Sequence, residues 1–286
     1  MILEEKYTLV NGVEIPKLGL GTWLIKNEDV AEVVKEAVKI GYRHIDTAQA
    51  YGNESGLGEG IRACGVNRAD LFVTTKLAAE VKSYKEAVTS IDASLKKLGL
   101  DYIDLMIIHS PKPWANFLEN EPYFEGNREA WKALEEAYTA GKLRAIGLSN
   151  FDKADIDNIL ESGKVKPMVN QILAHISNTP KELIRYSQDN GILVEAYSPI
   201  GHGELLKNPE IAAIAEKYKV SIPQLGIRYI LQLGLLPLPK TSHPKHMKTN
   251  ADVDFVISER DMEFLKNVKQ IEDYGEHSKF PVFGRK

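Results

Sequence analysis

The hydrophobic and polar positions follow two periods along the chain. At the N-terminus, residues 7–10 and 13–15 form two short β-type runs separated by Asn11-Gly12 and followed by Pro16, a pattern that predicts a hairpin. Asn-Gly in that setting predicts a two-residue type I′ turn, which needs positive φ at both central residues. From Leu18 onward, short, branched, continuously apolar runs alternate with longer stretches of helical period. The runs cover residues 18–20, 42–46, 71–76, 103–109, 144–149, 168–171, 192–197 and 235–239. Continuous apolarity is expected of parallel strands covered on both faces.

Helix boundaries can be read between the runs. Ser83 with Glu86 forms a start signal for a helix with the apolar stripe Val88, Ile91, Leu95 and Leu98, and Gly99 ends it. Thr179, Pro180 and Glu182 start another, as do Asn208-Pro209 and Ser258 with Asp261. Asn27 is expected to cap the helix carrying Val30, Val33, Val34 and Ala37. Eight strands, with helices between them and one more after the last, predict a (β/α)8 TIM barrel with an N-terminal β-hairpin. No Gly/Ser/Pro-rich linker divides it, so residues 1–286 are expected to form one domain. A doubly wound open sheet would carry G-x-G-x-x-G after its first strand. The nearest string, Gly56-Leu57-Gly58-Glu59-Gly60, has other spacing and sits within a helical stretch.

Composition narrows the function. The chain has 286 residues, a length that alone suits one or two domains, and 36 basic against 40 acidic side chains give a formal net charge of −4. With no Lys/Arg block, nucleic acid and anionic membrane are not expected as main partners. The one cysteine, Cys64, excludes an internal disulfide and a Cys-based zinc cluster. The opening MILEEKYTLV has acidic residues where a secretory signal needs basic ones, and no stretch stays apolar for about 18 residues, so a cytoplasmic protein is expected.

Reactive residues of such barrels gather at the C-terminal ends of the strands. The second barrel strand ends in Asp46, with Tyr51 five residues on; the third ends in Lys76 and the fourth in His109. These groups are expected to face one opening. Together with the strings GLGTW (19–23), RHIDTAQAYGNE (43–54), TTK (74–76), DLMIIH (104–109), IGLSNF (146–151), VNQI (169–172), AYSPIGHG (196–203) and LPKTS (238–242), they make the chain resemble the aldo-keto reductase family over nearly its whole length. Within the family it is similar to the microbial group that includes the 2,5-diketo-D-gluconate reductases.

The resemblance implies that Asp46, Tyr51, Lys76 and His109 are the catalytic tetrad of an NADP(H)-dependent reductase of aldehydes, ketones, dicarbonyls or keto sugars. Hydride addition to a carbonyl leaves negative charge on oxygen, so an acid must supply a proton, and free tyrosine, with a pKa of about 10, is a weak one. A Lys76 cation roughly 4 Å away would favour phenolate by at most about 4 kcal/mol at an effective dielectric of 20, drawing Tyr51 toward neutrality. Asp46 would hold Lys76 charged. His109 would orient the carbonyl oxygen, and no second ligand at metal spacing accompanies it.

By the same resemblance, Gly21, Thr22 and Asp46 border the cofactor, and Ser149, Asn150 and Gln171 hydrogen-bond the nicotinamide carboxamide. Tyr197 lies beneath its ring, and Ser198, Pro199 and Ile200 run along the pyrophosphate. Lys240, Thr241, Ser242, His243, His246 and Asn250 reach the adenosine 2′-phosphate. Trp23 and Trp114, with Phe117 next, are expected to wall the substrate pocket beside His109. A monomer is expected. Two other readings share the barrel: a Schiff-base lyase using Lys76, which leaves Tyr51 and the SNF, NQ and YSP strings unexplained, and a cofactor-binding sensor without turnover, which leaves the intact tetrad unexplained.

The 240–250 segment departs from the family pattern. His243 and His246 stand where arginines are common and Thr249 where a glutamate is usual, and an imidazole offers phosphate fewer and less permanent donors than a guanidinium. Lys245 or Lys248 is the other candidate for that contact. NADPH is expected to be preferred with NADH tolerated: the ratio of kcat/KM for the two cofactors should stay below about a thousandfold, and a larger measured ratio would refute the weak-phosphate reading.

Overall fold

A computed structural model describes residues 1–284. Strands β1 (Lys6–Thr8) and β2 (Glu14–Pro16) form the hairpin, pairing Tyr7 with Ile15. The turn differs from the expected type I′. Only Gly12 has positive φ (84°), Gly12 N–H donates to Leu9 O and Leu9 N–H to Val13 O, which is the pattern of a three-residue loop closed by a left-handed glycine. Asn11 is drawn elsewhere: its amide donates to Arg144 O at 3.0 Å and its Oδ1 accepts from Val13 N–H. Tyr7 likewise donates to Leu235 O, so the hairpin covers the N-terminal end of the barrel.

All eight expected barrel strands are present, with ends shifted by a residue or two. They are β3 (Gly19–Gly21), β4 (His44–Asp46), β5 (Phe72–Leu77), β6 (Ile103–Ile108), β7 (Leu143–Ser149), β8 (Val169–Leu173), β9 (Leu193–Tyr197) and β10 (Leu236–Leu238). Neighbours pair in parallel from β3 to β10. The ring is joined where Gly21 N–H donates to Pro239 O at 3.1 Å and Gly21 bridges Lys240. Every residue of β5 and β6 is buried, because the barrel interior covers one face and the helices cover the other.

The connecting helices are α1 (Asn27–Ile40), α2 (Glu54–Ala63), α3 (Tyr84–Leu98), α4 (Phe124–Thr139), α5 (Lys153–Ser162), α6 (Lys181–Asp189), α7 (Pro209–Lys217), α8 (Ile222–Gln232), α9 (Pro244–Ala251) and α10 (Glu259–Lys266). Ser83, Asn208 and Ser258 cap their helices as expected, and Gly99 ends α3 with φ 62°. Two expected caps are not made. Asn27 is the first residue of α1, and its Oδ1 accepts from Gly56 N–H and Ser55 Oγ, tying α1 to α2. The Thr179 hydroxyl is engaged by His175 O and Tyr229 Oη, so it leaves α6 uncapped.

The glycine string within α2 has a packing cause. A Cβ on Gly56 would lie 2.0 Å from Asn27 O of α1, and one on Gly58 would lie 2.0 Å from Leu98 O of α3. Helix α2 therefore passes its neighbours at backbone contact, which holds the segment from Asp46 to Asn53 against the barrel mouth. Gly58→Ala should lower stability by about 2–3 kcal/mol in urea unfolding, although alanine is the better helix former by roughly 1 kcal/mol. A more stable variant would refute the close-packing account.

Candidate active site

The C-terminal ends of the strands converge as expected. Asp46 closes β4, Lys76 lies on β5, His109 follows β6 directly, and Tyr51 ends a short 3₁₀ turn (Gln49–Tyr51). Lys76 Nζ donates to Asp46 Oδ1 at 2.5 Å, Thr47 O at 2.8 Å and Tyr51 Oη at 3.3 Å. All three ammonium hydrogens are thus engaged, and the group is 1% exposed. Burial alone would pull the ammonium pKa down, but Asp46 and Tyr51 more than offset this and leave it above the ordinary lysine value. A lysine so held is a poor amine nucleophile, which leaves the Schiff-base reading without support.

Tyr51 corrects the expected direction. Burial raises its pKa more than Lys76 lowers it, and Asp46 adds to the rise, so the net position is above 10 and the phenol keeps its proton at neutral pH. His109 is buried against Tyr51 and Trp114, with ring centroids 5.8 and 5.1 Å away. Burial and then Lys76 hold its pKa well below 6.5, so the imidazole is neutral.

Beside this cluster, side chains from β7, β8 and β9 form a network of fixed polar groups. Tyr197 Oη donates to Asn150 Oδ1 at 2.7 Å; Asn150 Nδ2 donates to His109 O and Ser149 Oγ; Ser149 Oγ donates to Gln171 O. Gln171 Nε2 donates to Asp46 Oδ2 at 3.0 Å and Glu195 Oε2 at 2.7 Å. Asn150 and Ser198 adopt φ of 62° and 50°, sparsely populated for such residues, where the chain turns out of β7 and β9.

A cavity of about 640 Å³ opens over these groups. Of the residues expected in the site, it is lined by Gly21, Trp23, Asp46, Tyr51, His109, Trp114, Ser149, Asn150, Gln171, Tyr197, Ser198, Pro199, Ile200 and Lys240. Thr22 lies beneath, its hydroxyl donating to Asp46 O. Thr241, Ser242, His243, His246 and Asn250 lie outside the cavity, in the segment leading from Lys240 into α9. His243 and His246 are exposed there with ring centroids 5.4 Å apart, whereas Asn250 is buried. Phe117 packs on Trp114 at 5.7 Å. A larger groove of about 1160 Å³ runs beside the hairpin and contains none of the Asp46, Tyr51, Lys76 and His109 groups.

The chain's end supplies the wall that sequence reasoning did not anticipate. His277, Phe280, Val282 and Phe283 line the cavity with His202. Trp23 packs on Phe280 and His202, and His202 stacks on His277 at 4.0 Å with planes 15° apart. Tyr274 anchors the segment through its hydroxyl to His175 Nε2 at 2.9 Å. The apolar run FPVF (280–283) in a polar tail was the one sequence signal of this contact.

The fold and its strand-end groups define a barrel enzyme, and the comparisons specify which. A model of the aldo/keto reductase family matches residues 17–270. An uncharacterized oxidoreductase of Bacillus subtilis (strain 168) is 43% identical over 267 residues, covering 91% of each chain, and the glyoxal reductase of that organism is 40% identical over 275 residues, covering 96% of each. The crystal structure of a Bombyx mori aldo-keto reductase in complex with NADP matches with a TM-score of 0.85 at 33% identity, covering 98% of each chain. The chain belongs to the aldo/keto reductase family of oxidoreductases. Among the described residues, no helix is long and apolar enough to cross a membrane.

The buried imidazoles of His44 and His175 and the half-buried one of His202 make stability depend on pH. Burial holds His44 at about 3, while His175 and His202 sit at about 4, with His277 and His175 also lowering His202 and a bond to Ile176 O partly raising His175. The unfolded chain takes up these protons near pH 6.5 and the folded one only near 4 or below, so stability should fall as pH drops from about 6.5 to 4, at roughly 1.4 kcal/mol per pH unit for each fully buried group. Melting temperatures recorded across that window should decline, and His175→Gln should flatten the slope. An equal slope in that variant would exclude His175 as a contributor.

Proposed function

We propose that this chain is an NADPH-dependent carbonyl reductase acting on aldehydes, ketones and dicarbonyls, keto sugars included, with Tyr51 as the proton donor. The observation that carries the reading is Lys76 Nζ, held by Asp46 and Thr47 O and directed at Tyr51 Oη in a cavity that His109 also faces.

The polar network fits a nicotinamide carboxamide. Both hydrogens of Gln171 Nε2 and of Asn150 Nδ2 are engaged within the protein, so Gln171 Oε1, and the lone pair of Asn150 Oδ1 that Tyr197 Oη does not use, are left to accept from an amide N–H. Tyr197 presents its ring to the cavity with its hydroxyl anchored on Asn150. Lys240 at the rim, and His243 and His246 on the exposed first turn of α9, suit a phosphate near a helix N-terminus. A reduced nicotinamide, when bound, supplies the hydride that adds to the carbonyl carbon.

The protein's own groups manage the charge left on oxygen. His109 is neutral, and in the tautomer with its proton on Nε2 it would donate a hydrogen bond that orients the carbonyl. Tyr51 Oη gives its proton to that oxygen, forming the alcohol. The phenolate left behind is stabilised by Lys76 at 3.3 Å, worth at most about 5 kcal/mol at an effective dielectric of 20, and regains its proton from solvent. A raised phenol pKa keeps the acid loaded before reaction, and the lysine lowers the barrier as the proton departs. Among the described residues lining the cavity the charged ones are Asp46 and Lys240, and the wall from Trp23, Trp114 and the C-terminal segment is aromatic. That supports neutral substrates over anionic ones, and the similarity to a glyoxal reductase supports dicarbonyls among them. The same reading takes the protein as a cytoplasmic monomer built as a single domain.

Tyr51→Phe removes one hydroxyl and no ring contact. Followed at 340 nm with NADPH and a panel of aldehydes, dicarbonyls and keto sugars, it should lose about 10²–10⁴-fold in kcat with cofactor affinity kept. Unchanged turnover would refute Tyr51 as the donor, and tight binding without turnover in the unaltered protein would favour the sensor reading.

A further inference from the structure

A second carboxyl group lies in the barrel interior beside the one that pairs with Lys76. Glu195 stands two residues before Tyr197 on β9, so both side chains point into the barrel, and its register partner on β8 is Gln171. It is fully buried. Its Oε2 accepts from Gln171 Nε2 at 2.7 Å, and its Oε1 has no hydrogen-bond partner among the described residues. Inward positions of a barrel core are ordinarily filled by branched apolar residues, and a buried carboxyl with an unpartnered oxygen is an unfavourable replacement.

The group earns its place through the amide it holds. One hydrogen of Gln171 Nε2 goes to Asp46 Oδ2 and the other to Glu195 Oε2. A single anchor would leave the amide free to turn about one N–H···O axis and swing its second N–H toward the cavity; two anchors set the amide plane. Two charged groups and one amide bear on Glu195: burial first and Asp46 next push its carboxyl up to about 8, while the Gln171 bond and Lys76 draw it down. At neutral pH Glu195 is therefore an uncharged acceptor that leaves the Asp46–Lys76 pair balanced.

We propose that Glu195 is a positioning residue which, with Asp46, clamps the Gln171 amide so that Oε1 alone faces the carboxamide N–H of a nicotinamide cofactor. This rests on the cofactor reading above. Trp23 and Trp114 line the same cavity, so titrating NADPH and following tryptophan fluorescence measures affinity without turnover. Glu195→Leu should weaken binding about five- to tenfold, while Glu195→Gln, which keeps an acceptor, should stay within about twofold of the unaltered protein. In steady state, KM for the cofactor should rise more than kcat falls. The melting temperature of Glu195→Leu should hold or rise, because a poorly satisfied polar group leaves the core. Should that variant fail to fold, Glu195→Thr, too short to reach Gln171, carries the same expectation. Full affinity in Glu195→Leu or Glu195→Thr, alongside weakened binding in Gln171→Ala, would overturn the clamp and leave the cofactor reading standing. Equal loss in the Leu and Gln variants, with a lowered melting temperature, would overturn it in favour of a purely structural role. Absence of NADPH and NADH binding by the unaltered protein would remove the cofactor reading itself.

Discussion

The architecture of the site follows from placing one ammonium group where water does not reach. Taking a lysine out of solvent costs several kcal/mol unless a carboxylate and further acceptors surround it. Lys76 is given all of them: Asp46, Thr47 O and the Tyr51 hydroxyl. That arrangement demands that β4 and β5 be adjacent and parallel, in the register that sets Asp46 beside Thr74, one turn of the pleat before Lys76. It also demands that the chain leaving β4 curl back over the mouth, which the 3₁₀ turn ending at Tyr51 and the close passage of α2 along α1 and α3 enforce.

From that ion pair, order spreads around the rim. Asp46 is shared between Lys76 and Gln171, Gln171 is held by Glu195, and Ser149, Asn150 and Tyr197 continue the chain of hydrogen bonds across β7 to β9. Such connected networks are rigid because each member limits the rotation of the next. Burial keeps the phenol protonated, whereas on the lysine it is outweighed by Asp46 and Tyr51, which keep the ammonium charged. The result is an acid and a cation side by side, which is what protonation of a nascent alkoxide needs.

The wall of the cavity has a different origin. It is mostly aromatic, built from Trp23, Trp114 and the C-terminal segment, and ring packing brings these together, joined by side-chain hydrogen bonds between Tyr274 and His175 and between Ser198 and His202. Of its two stacked rings, His202 and His277, burial first and the neighbouring His277 next hold the His202 imidazole at about 4, so that ring is neutral at pH 7.

Much of this was legible in order along the chain. Eight apolar runs, the Ser83, Asn208 and Ser258 caps and the residues at three strand ends are local signals, because a strand covered on both faces, a capped helix and a strand terminus each leave their mark within a few residues. Asn27, Thr179 and Asn11 read as local devices too, yet each side chain was claimed by a group distant in sequence: Gly56, Tyr229 and Arg144. The direction of the Tyr51 pKa escaped for a related reason, since proximity to Lys76 could be guessed from strand order but the weight of burial could not. The C-terminal wall escaped because its rings meet Trp23 from the far end of the chain, with no periodic pattern to announce it. The sequence by itself thus determined the barrel, the order of its strands and the chemical types at their ends. Only the tertiary structure decided which of those groups lose water, which share a hydrogen, and which distant rings close the cavity, because desolvation and packing depend on neighbours brought together by folding.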